Sequence, residues 1–266
     1  MFKAFYSLSA QPFSKEIKAS DMFASSAYQE LVARLDYLKD NRGIGMVVGE
    51  AGSGKTSALR SFVGSLNPAL FKVIYFPLAT VTVNDFYRGL AYNLDLEPAF
   101  RKIDLFKQIQ DAITNYYTGK KITPFIILDE MQLATSSFLS DLHLLFNFSM
   151  DAQNPFGMVL CGMPSLAMKM SLAHHQPLTQ RLIMRYKMPA LSKEETRAYI
   201  NHQMQLAGAN YPVFAEAAIE SIATVSRGWP RLINSLGTNS LVYGCQKGLK
   251  HVDEEAVRLA AIDLGM

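Results

Sequence analysis

Residues 49–56 read Gly49-Glu50-Ala51-Gly52-Ser53-Gly54-Lys55-Thr56, a complete GxxxxGK[ST] pattern. Glycines let successive backbone N–H groups curl around a phosphate with no Cβ in the way. A helix beginning at the end of the loop adds its positive dipole end. Lys55 is then placed to reach the β- and γ-phosphates of a nucleotide, and the Thr56 hydroxyl, with Ser57 behind it, to join a Mg²⁺ shell. The flanks suit this reading. The apolar run Ile44–Val48 predicts a buried strand before the loop, and residues 55–63 predict a helix after it. Gly49 to Ser57 are therefore expected to bind ATP with Mg²⁺.

The partner such a loop requires lies downstream, in Phe125-Ile126-Ile127-Leu128-Asp129-Glu130. Four apolar residues carry a carboxylate pair to the C-terminal end of a strand, where open α/β sheets bind ligands. Asp129 is expected to hold Mg²⁺. Glu130 is expected to orient or deprotonate the attacking water, because Asp alone would suffice for binding and the adjacent Glu argues for hydrolysis.

Further short apolar runs at 72–78, 158–161 and 186–188 alternate with helical patterns at 84–96, 103–117 and 136–150. That alternation predicts a parallel sheet covered on both faces. Ahead of the loop, SAYQELVARLDYLKD predicts a helix with Leu31, Leu35 and Leu38 on one face and Ser26 with Gln29 as a capping box. Past Pro189 the pattern changes. Residues 192–207, 212–226, 230–247 and 253–263 read as helices and nothing reads as a strand, with Ser192 and Glu195 forming a capping box and Asp253 an N-cap. The expected division is an arm at 1–24, an α/β domain at 25–190 and a helical lid at 191–266.

Composition bounds the function. The 266 residues are 49% apolar and 18% charged, which fits a folded domain and not a disordered chain. No stretch of 18 or more apolar residues occurs, and the N-terminus does not read as a signal peptide, so a cytoplasmic protein without a membrane partner is expected. Cys161 and Cys245 make no disulfide framework and are expected to be reduced. No Cys/His metal cluster is present, and His174-His175 is expected to be exposed. Net charge is only +3, so any contact with nucleic acid must come from a local patch or from repetition over many subunits.

Three arginines bear on the same chemistry. Arg181 and Arg185 are four apart and share a face if the helix before them extends that far. A guanidinium near a γ-phosphate stabilises charge in the transition state, and one supplied by a neighbouring subunit makes hydrolysis depend on assembly. The competing reading is surface arginine on a solvated face. Arg231 stands just inside a helix that Pro230 would start, a suitable place for a lid arginine touching phosphate.

The blocks GEAGSGKT (49–56), FIILDEMQ (125–132), VLCGMPSL (159–166), LTQRLIMRYKMPALSKEETRAYI (178–200) and SRGWPRLIN (226–234) carry a family resemblance. Together with the arm ending Gln11-Pro12-Phe13, they resemble AAA+ ATPases related to the secretion ATPase ExeA. Within that group the chain is similar to the small stand-alone ATPases of transposons, TnsC, TniB, IstB and, more distantly, MuB. The resemblance runs from about Phe5 to Asn234. It implies an AAA+ P-loop NTPase, with sheet order 5-1-4-3-2 and a helical lid. It also implies ATP-dependent homo-oligomers, rings or helical filaments, around double-stranded DNA that recruit and regulate a transposase. By matching motifs, Lys55, Thr56, Asp129 and Glu130 keep the roles given above, Arg181 or Arg185 matches the arginine finger, and Arg231 the lid sensor. Two departures stand out: the fourth strand, Val159-Leu160-Cys161-Gly162, is followed by no polar sensor, and Met131 stands where the branch often has Ala.

For DNA, the best local surplus of positive charge is Arg101, Lys102, Lys107, Lys120 and Lys121. Thr80 and Thr82 after the second strand are candidate phosphate donors. Two alternatives compete: assembly of a secretion or envelope machine, and a protein-binding, nucleotide-gated scaffold. The lack of a membrane segment, and of a further domain after the lid, weighs against the first of these.

Overall fold

The computed structural model describes residues 2–14, 18–77 and 82–266. Its helices are α1 (Phe2–Phe5), α2 (Ser26–Asn41), α3 (Lys55–Ser65), α4 (Val83–Asn93), α5 (Lys102–Thr114), α6 (Ser136–Leu145), α7 (Pro164–Met170), α8 (Gln176–Gln180), α9 (Lys193–Leu206), α10 (Glu216–Ser226), α11 (Pro230–Gln246) and α12 (Glu254–Asp263). The strands are β1 (Gly43–Val48), β2 (Phe71–Pro77), β3 (Thr123–Asp129), β4 (Gly157–Gly162) and β5 (Leu182–Lys187). They group into two compact units. One comprises Glu30–Glu50 and Lys55–Met188; the other comprises Met1–Gln29, Ala51–Gly54 and Pro189–Met266.

The first unit is built on a five-stranded sheet in the order β2-β3-β4-β1-β5. Every pairing is parallel, and this is the order the resemblance implies. The central strands β1 and β4 are buried along their whole length, and β3 from Pro124 onward. Strands covered on both faces need continuous apolar runs, which is why their sequences do not alternate. The edge strands β2 and β5 do expose residues, among them Tyr75 and Arg185. Helix α2 presses close to β1 at Gly45, where an added Cβ would stand 2.9 Å from Leu38 Cδ2 and 2.8 Å from Met184 Cε. On the same unit's apolar core, Phe86 packs edge-on to Phe138 with ring centres 4.9 Å apart.

The second unit has its own core, drawn from α9 to α12 and, unforeseen in the sequence, from the arm. Tyr6, Leu8 and Phe13 are buried with Ile200, Ile222, Leu236, Leu241 and Val257. Backbone N–H groups of Ser9 and Ala10 donate to the Ala207 carbonyl at 2.8 and 3.2 Å. Glycines make the room: a Cβ at Gly237 would meet the Phe13 ring at 2.6 Å, and one at Gly244 would collide with the Tyr6 hydroxyl. The capping box at Ser192 and Glu195 and the Asp253 cap form as expected.

Several local expectations are corrected. Ser25, not Ser26, caps α2, accepting from the Tyr28 N–H at 3.2 Å. The Ser26 N–H and hydroxyl go instead to the Glu195 carboxylate, both at 2.8 Å. The last strand begins at Leu182, four residues before the expected run, because Leu182 already pairs with Ile44 of β1. Residues 212–215 are extended where a helix was expected: Phe214 and Val252 form an isolated parallel bridge. His175 is buried while His174 is exposed, and burial lowers the His175 imidazole below its usual value. Among the described residues no helix is long and apolar enough to cross a membrane, and no three His, Cys, Asp or Glu are grouped to hold a metal ion.

Candidate active site

The strand order creates the site. β1 lies between β4 and β5, so the chain reverses direction across the sheet at β1/β4, and ligands of open α/β sheets bind at the carboxyl ends of strands beside such a point. Register aligns the ends. Val48 pairs with Gly162 and Pro77 with Asp129. The Gly49 N–H donates to the Gly162 carbonyl at 3.2 Å, fixing where the phosphate loop leaves the sheet.

Lys55 opens α3 and is buried, its ammonium donating to the carbonyls of Gly49 and Glu50 at 2.7 and 2.9 Å. Gly52 and Gly54 have φ of +80 and +98°, which other residues rarely adopt; these turns are what lets peptide N–H groups converge on an anion. The loop thus has the shape and the cation a polyphosphate needs. The next residue reaches across the sheet: Thr56 Oγ1 donates to Asp129 Oδ2 at 3.1 Å. Asp129 is buried, and its other oxygen accepts the Glu130 N–H at 2.9 Å. A hydroxyl and a carboxylate brought together beside a phosphate loop are oxygen donors of the kind that could hold a Mg²⁺ ion.

Two neighbours of Asp129 were not foreseen. Tyr75 donates its hydroxyl to Asp129 Oδ2 at 3.1 Å; burial and the Asp129 charge push its phenol up to about 12. The Cys161 thiol is raised far above its ordinary value, by burial first and then by Asp129, and stays neutral. Only register reveals either one: Tyr75 pairs with Ile127, two residues before Asp129, and sequence spacing carries no such signal. Glu130 follows with its backbone in the left-handed region, φ 58 and ψ 32°. Its carboxylate accepts a short hydrogen bond from the Gln132 amide.

Ala51–Gly54 cluster with the C-terminal helices, and there Arg231 meets the loop: its N–H donates to the Gly52 carbonyl at 3.2 Å. Pro230 does start α11, and the Arg231 side chain is exposed. Arg181 and Arg185 do not share a helix face. Helix α8 stops at Gln180, and Arg185 lies in β5. Arg181 donates to the carbonyls of His143 and Phe146 at 3.2 and 2.8 Å, while exposed Arg185 donates to the Thr179 carbonyl at 2.6 Å.

The basic residues expected to meet DNA do not form one patch. Arg101 and Lys102 begin α5, paired with Asp104 at 2.7 Å and Asp141 at 2.6 Å. Lys120 and Lys121 follow the far end of that helix, about 25 Å away at its axial rise. Lys120 sits over the Tyr116 ring at 4.0 Å, and Lys107 is exposed between the two ends. The Thr82 hydroxyl is committed to capping α4 through Asp85. Thr80 lies outside the described residues.

The AAA domain profile matches residues 38–170, half of the chain. The chain belongs to the AAA domain family. As an AAA domain it is an ATPase module that takes ATP with Mg²⁺. Among curated proteins it is similar to general secretion pathway protein A of Aeromonas hydrophila, 29% identical over 99% of this chain and 48% of that protein. It is also similar to an uncharacterized HTH-type transcriptional regulator of Methanocaldococcus jannaschii, 25% identical over 83% of this chain and 63% of that protein. The chain thus spans about half to two thirds of these relatives. Among solved structures, Cdc6p from Pyrobaculum aerophilum superposes with a TM-score of 0.70 at 16% identity, over 94% of this chain and 70% of that one. Drosophila ORC bound to DNA gives 0.67 at 14%, over 100% and 65%. These likenesses establish the shared AAA+ fold of this domain, a parallel five-stranded sheet with C-terminal helices.

Proposed function

We propose that this AAA domain is an ATP-gated assembly factor that oligomerises on double-stranded DNA and recruits a transposase. The observation carrying the ATP gate is the bond between Thr56 and Asp129, which joins the phosphate loop to the acidic strand end. Bound ATP with Mg²⁺ supplies the transferable phosphoryl group. Lys55 turns its ammonium from the loop carbonyls to the β- and γ-phosphates, Thr56 and Asp129 hold the ion's shell, and Glu130 orients or deprotonates the attacking water. Arg231, in the first turn of α11 with its N–H on the Gly52 carbonyl, is the candidate lid arginine. Arg185 is the better finger for a neighbouring subunit's nucleotide, because it is exposed on an edge strand whereas Arg181 is spent on two carbonyls of its own unit.

The DNA and transposase roles are supported by the motif resemblance at 159–166, 178–200 and 226–234, and by a fold shared with DNA-bound ORC. A second reading, an ATPase of a secretion machine, is favoured by the likeness to general secretion pathway protein A across 99% of the chain. Electron microscopy with a non-hydrolysable ATP analogue separates the two. DNA-threaded rings or filaments that dissolve steeply with added salt are expected. Particles indifferent to DNA would sink the first reading and leave the second.

A further inference from the structure

Asp129 ends β3 with its carboxylate held from two directions. Thr56, in the first turn of α3, and Tyr75, in the edge strand β2, both donate to Oδ2 at 3.1 Å. Oδ1 accepts the Glu130 N–H at 2.9 Å, and the Cys161 thiol is hydrogen-bonded to the same carboxylate. A carboxylate has about four acceptor positions, shared between its two oxygens, so the pair of hydroxyls fills Oδ2. Thr56 belongs to the phosphate-loop pattern, whereas Tyr75 lies outside every motif of the nucleotide site. It arrives by register: Tyr75 pairs with Ile127 and Pro77 with Asp129, so the tyrosine stands on the face of the sheet that Asp129 shares. Its side chain is on an edge strand and 47% exposed, so its burial contributes little. The hydroxyl's bond is what sets it apart from a phenylalanine.

We propose that Tyr75 is a positioning residue for Asp129 that sets the choice of divalent cation at the nucleotide site, favouring Mg²⁺ over Ca²⁺. The inference rests on the reading of Asp129 as a holder of that cation. Mg²⁺ dehydrates reluctantly and keeps several waters, whereas Ca²⁺ collects about six to eight oxygens and takes carboxylates directly, through one oxygen or both. A carboxylate whose Oδ2 already accepts two hydroxyls has little left to give as a direct ligand. It still presents its charge to an ion that keeps its water. The Tyr75 bond also fixes the carboxylate's rotation, because donors from β2 and α3 grip one oxygen from opposite elements. Without the phenol, Oδ2 regains an acceptor position and the freedom to turn toward a larger ion.

Binding of a fluorescent, non-hydrolysable ATP analogue to the full chain, titrated with Mg²⁺ and separately with Ca²⁺, tests this without relying on turnover. Tyr75→Phe keeps the ring and removes the hydroxyl. It should shift the preference about fivefold toward Ca²⁺, the weight of one hydrogen bond, and leave metal-free binding of the analogue unchanged. Tyr75→Leu, which also lacks the hydroxyl, should shift the same way and decides alone if the first variant does not fold. A preference that stays within about twofold of wild type overturns the proposal. So does an equal loss of affinity with both cations, or weaker metal-free binding, since either would make the hydroxyl a support of the loop. Asp129→Asn should abolish the cation dependence with both ions. Its retention would instead overturn the reading of Asp129 as a cation holder.

Discussion

Lys55 spends its charge on two carbonyls of its own loop, so a phosphate displaces hydrogen bonds already formed around a buried cation. Lys55→Ala should abolish ATP binding in a titration, and intact affinity would remove the loop from the mechanism. The two arginines divide by what they hold. Arg181→Ala strips donors from the carbonyls of His143 and Phe146 and should lower the melting temperature. Arg185→Ala should leave melting nearly unchanged but depress turnover in assembled protein. The reverse pattern would exchange their roles. At this scale the sequence singled out Lys55, Thr56, Asp129 and Glu130 by their fixed spacing, and the structure brings Thr56 to Asp129. It could not disclose Tyr75, which reaches Asp129 only through the register of β2 against β3. Gln132 lay within a quoted block, yet its amide oxygen accepts from Met163, 31 residues away, a contact that no spacing rule contains.

Elements were legible wherever a periodic run met a cap. Ser192 and Glu195 announced α9 in advance, but the same carboxylate also binds Ser26, a contact 169 residues apart that no local rule contains. Burial raises the Glu195 carboxyl, and hydrogen bonds from Ser192 and Ser26 outweigh that, leaving it below the ordinary glutamate range. A native value below the unfolded one stabilises the fold above the unfolded value of about 4.3, and that stability is lost as pH falls through the lower native value. Glu195→Gln should therefore melt earlier than wild type at neutral pH, with the gap closing in acid. A gap independent of pH would contradict the carboxylate's part. Arg181 and Arg185 show where periodicity misleads: four-residue spacing suited a helix, but pairing with β1 draws Leu182 onward into a strand. The arm was unreadable for another reason. Its aromatics carry no period, and their partners are glycines two hundred residues on. Phe13→Ala should cost about 3–5 kcal/mol of the C-terminal unit's stability by emptying its site against Gly237, measured by denaturant unfolding. A loss below about 1 kcal/mol would mean the arm is an appendage.

Across the molecule, a parallel sheet and the change to helices past residue 189 were legible in the patterning, because both faces of the central strands are buried and the apolar runs say so; strand order came only from the family resemblance. The near-neutral balance of +3 stays consistent with what the candidate DNA-contacting residues do: Arg101 and Lys102 are paired with carboxylates, Lys107 lies along α5, and Lys120 and Lys121 come after it. A single copy has little charge to offer a phosphate backbone, so affinity for DNA has to be multiplied by repetition.

The seating of Tyr6, Leu8 and Phe13 among residues 199–261 also sets an order of events during synthesis. The arm leaves the ribosome before the helices it packs against, and Ser9 waits for Ala207, 198 residues later, to receive its bond. Until then its aromatic surface has no native partner. The sheet unit, whose strands and helices alternate in order, can form as it emerges, whereas the second unit's core closes only when α12 is made. Nascent chains arrested before α11 should therefore present the arm to proteases or chaperones, even with the ATP site already folded.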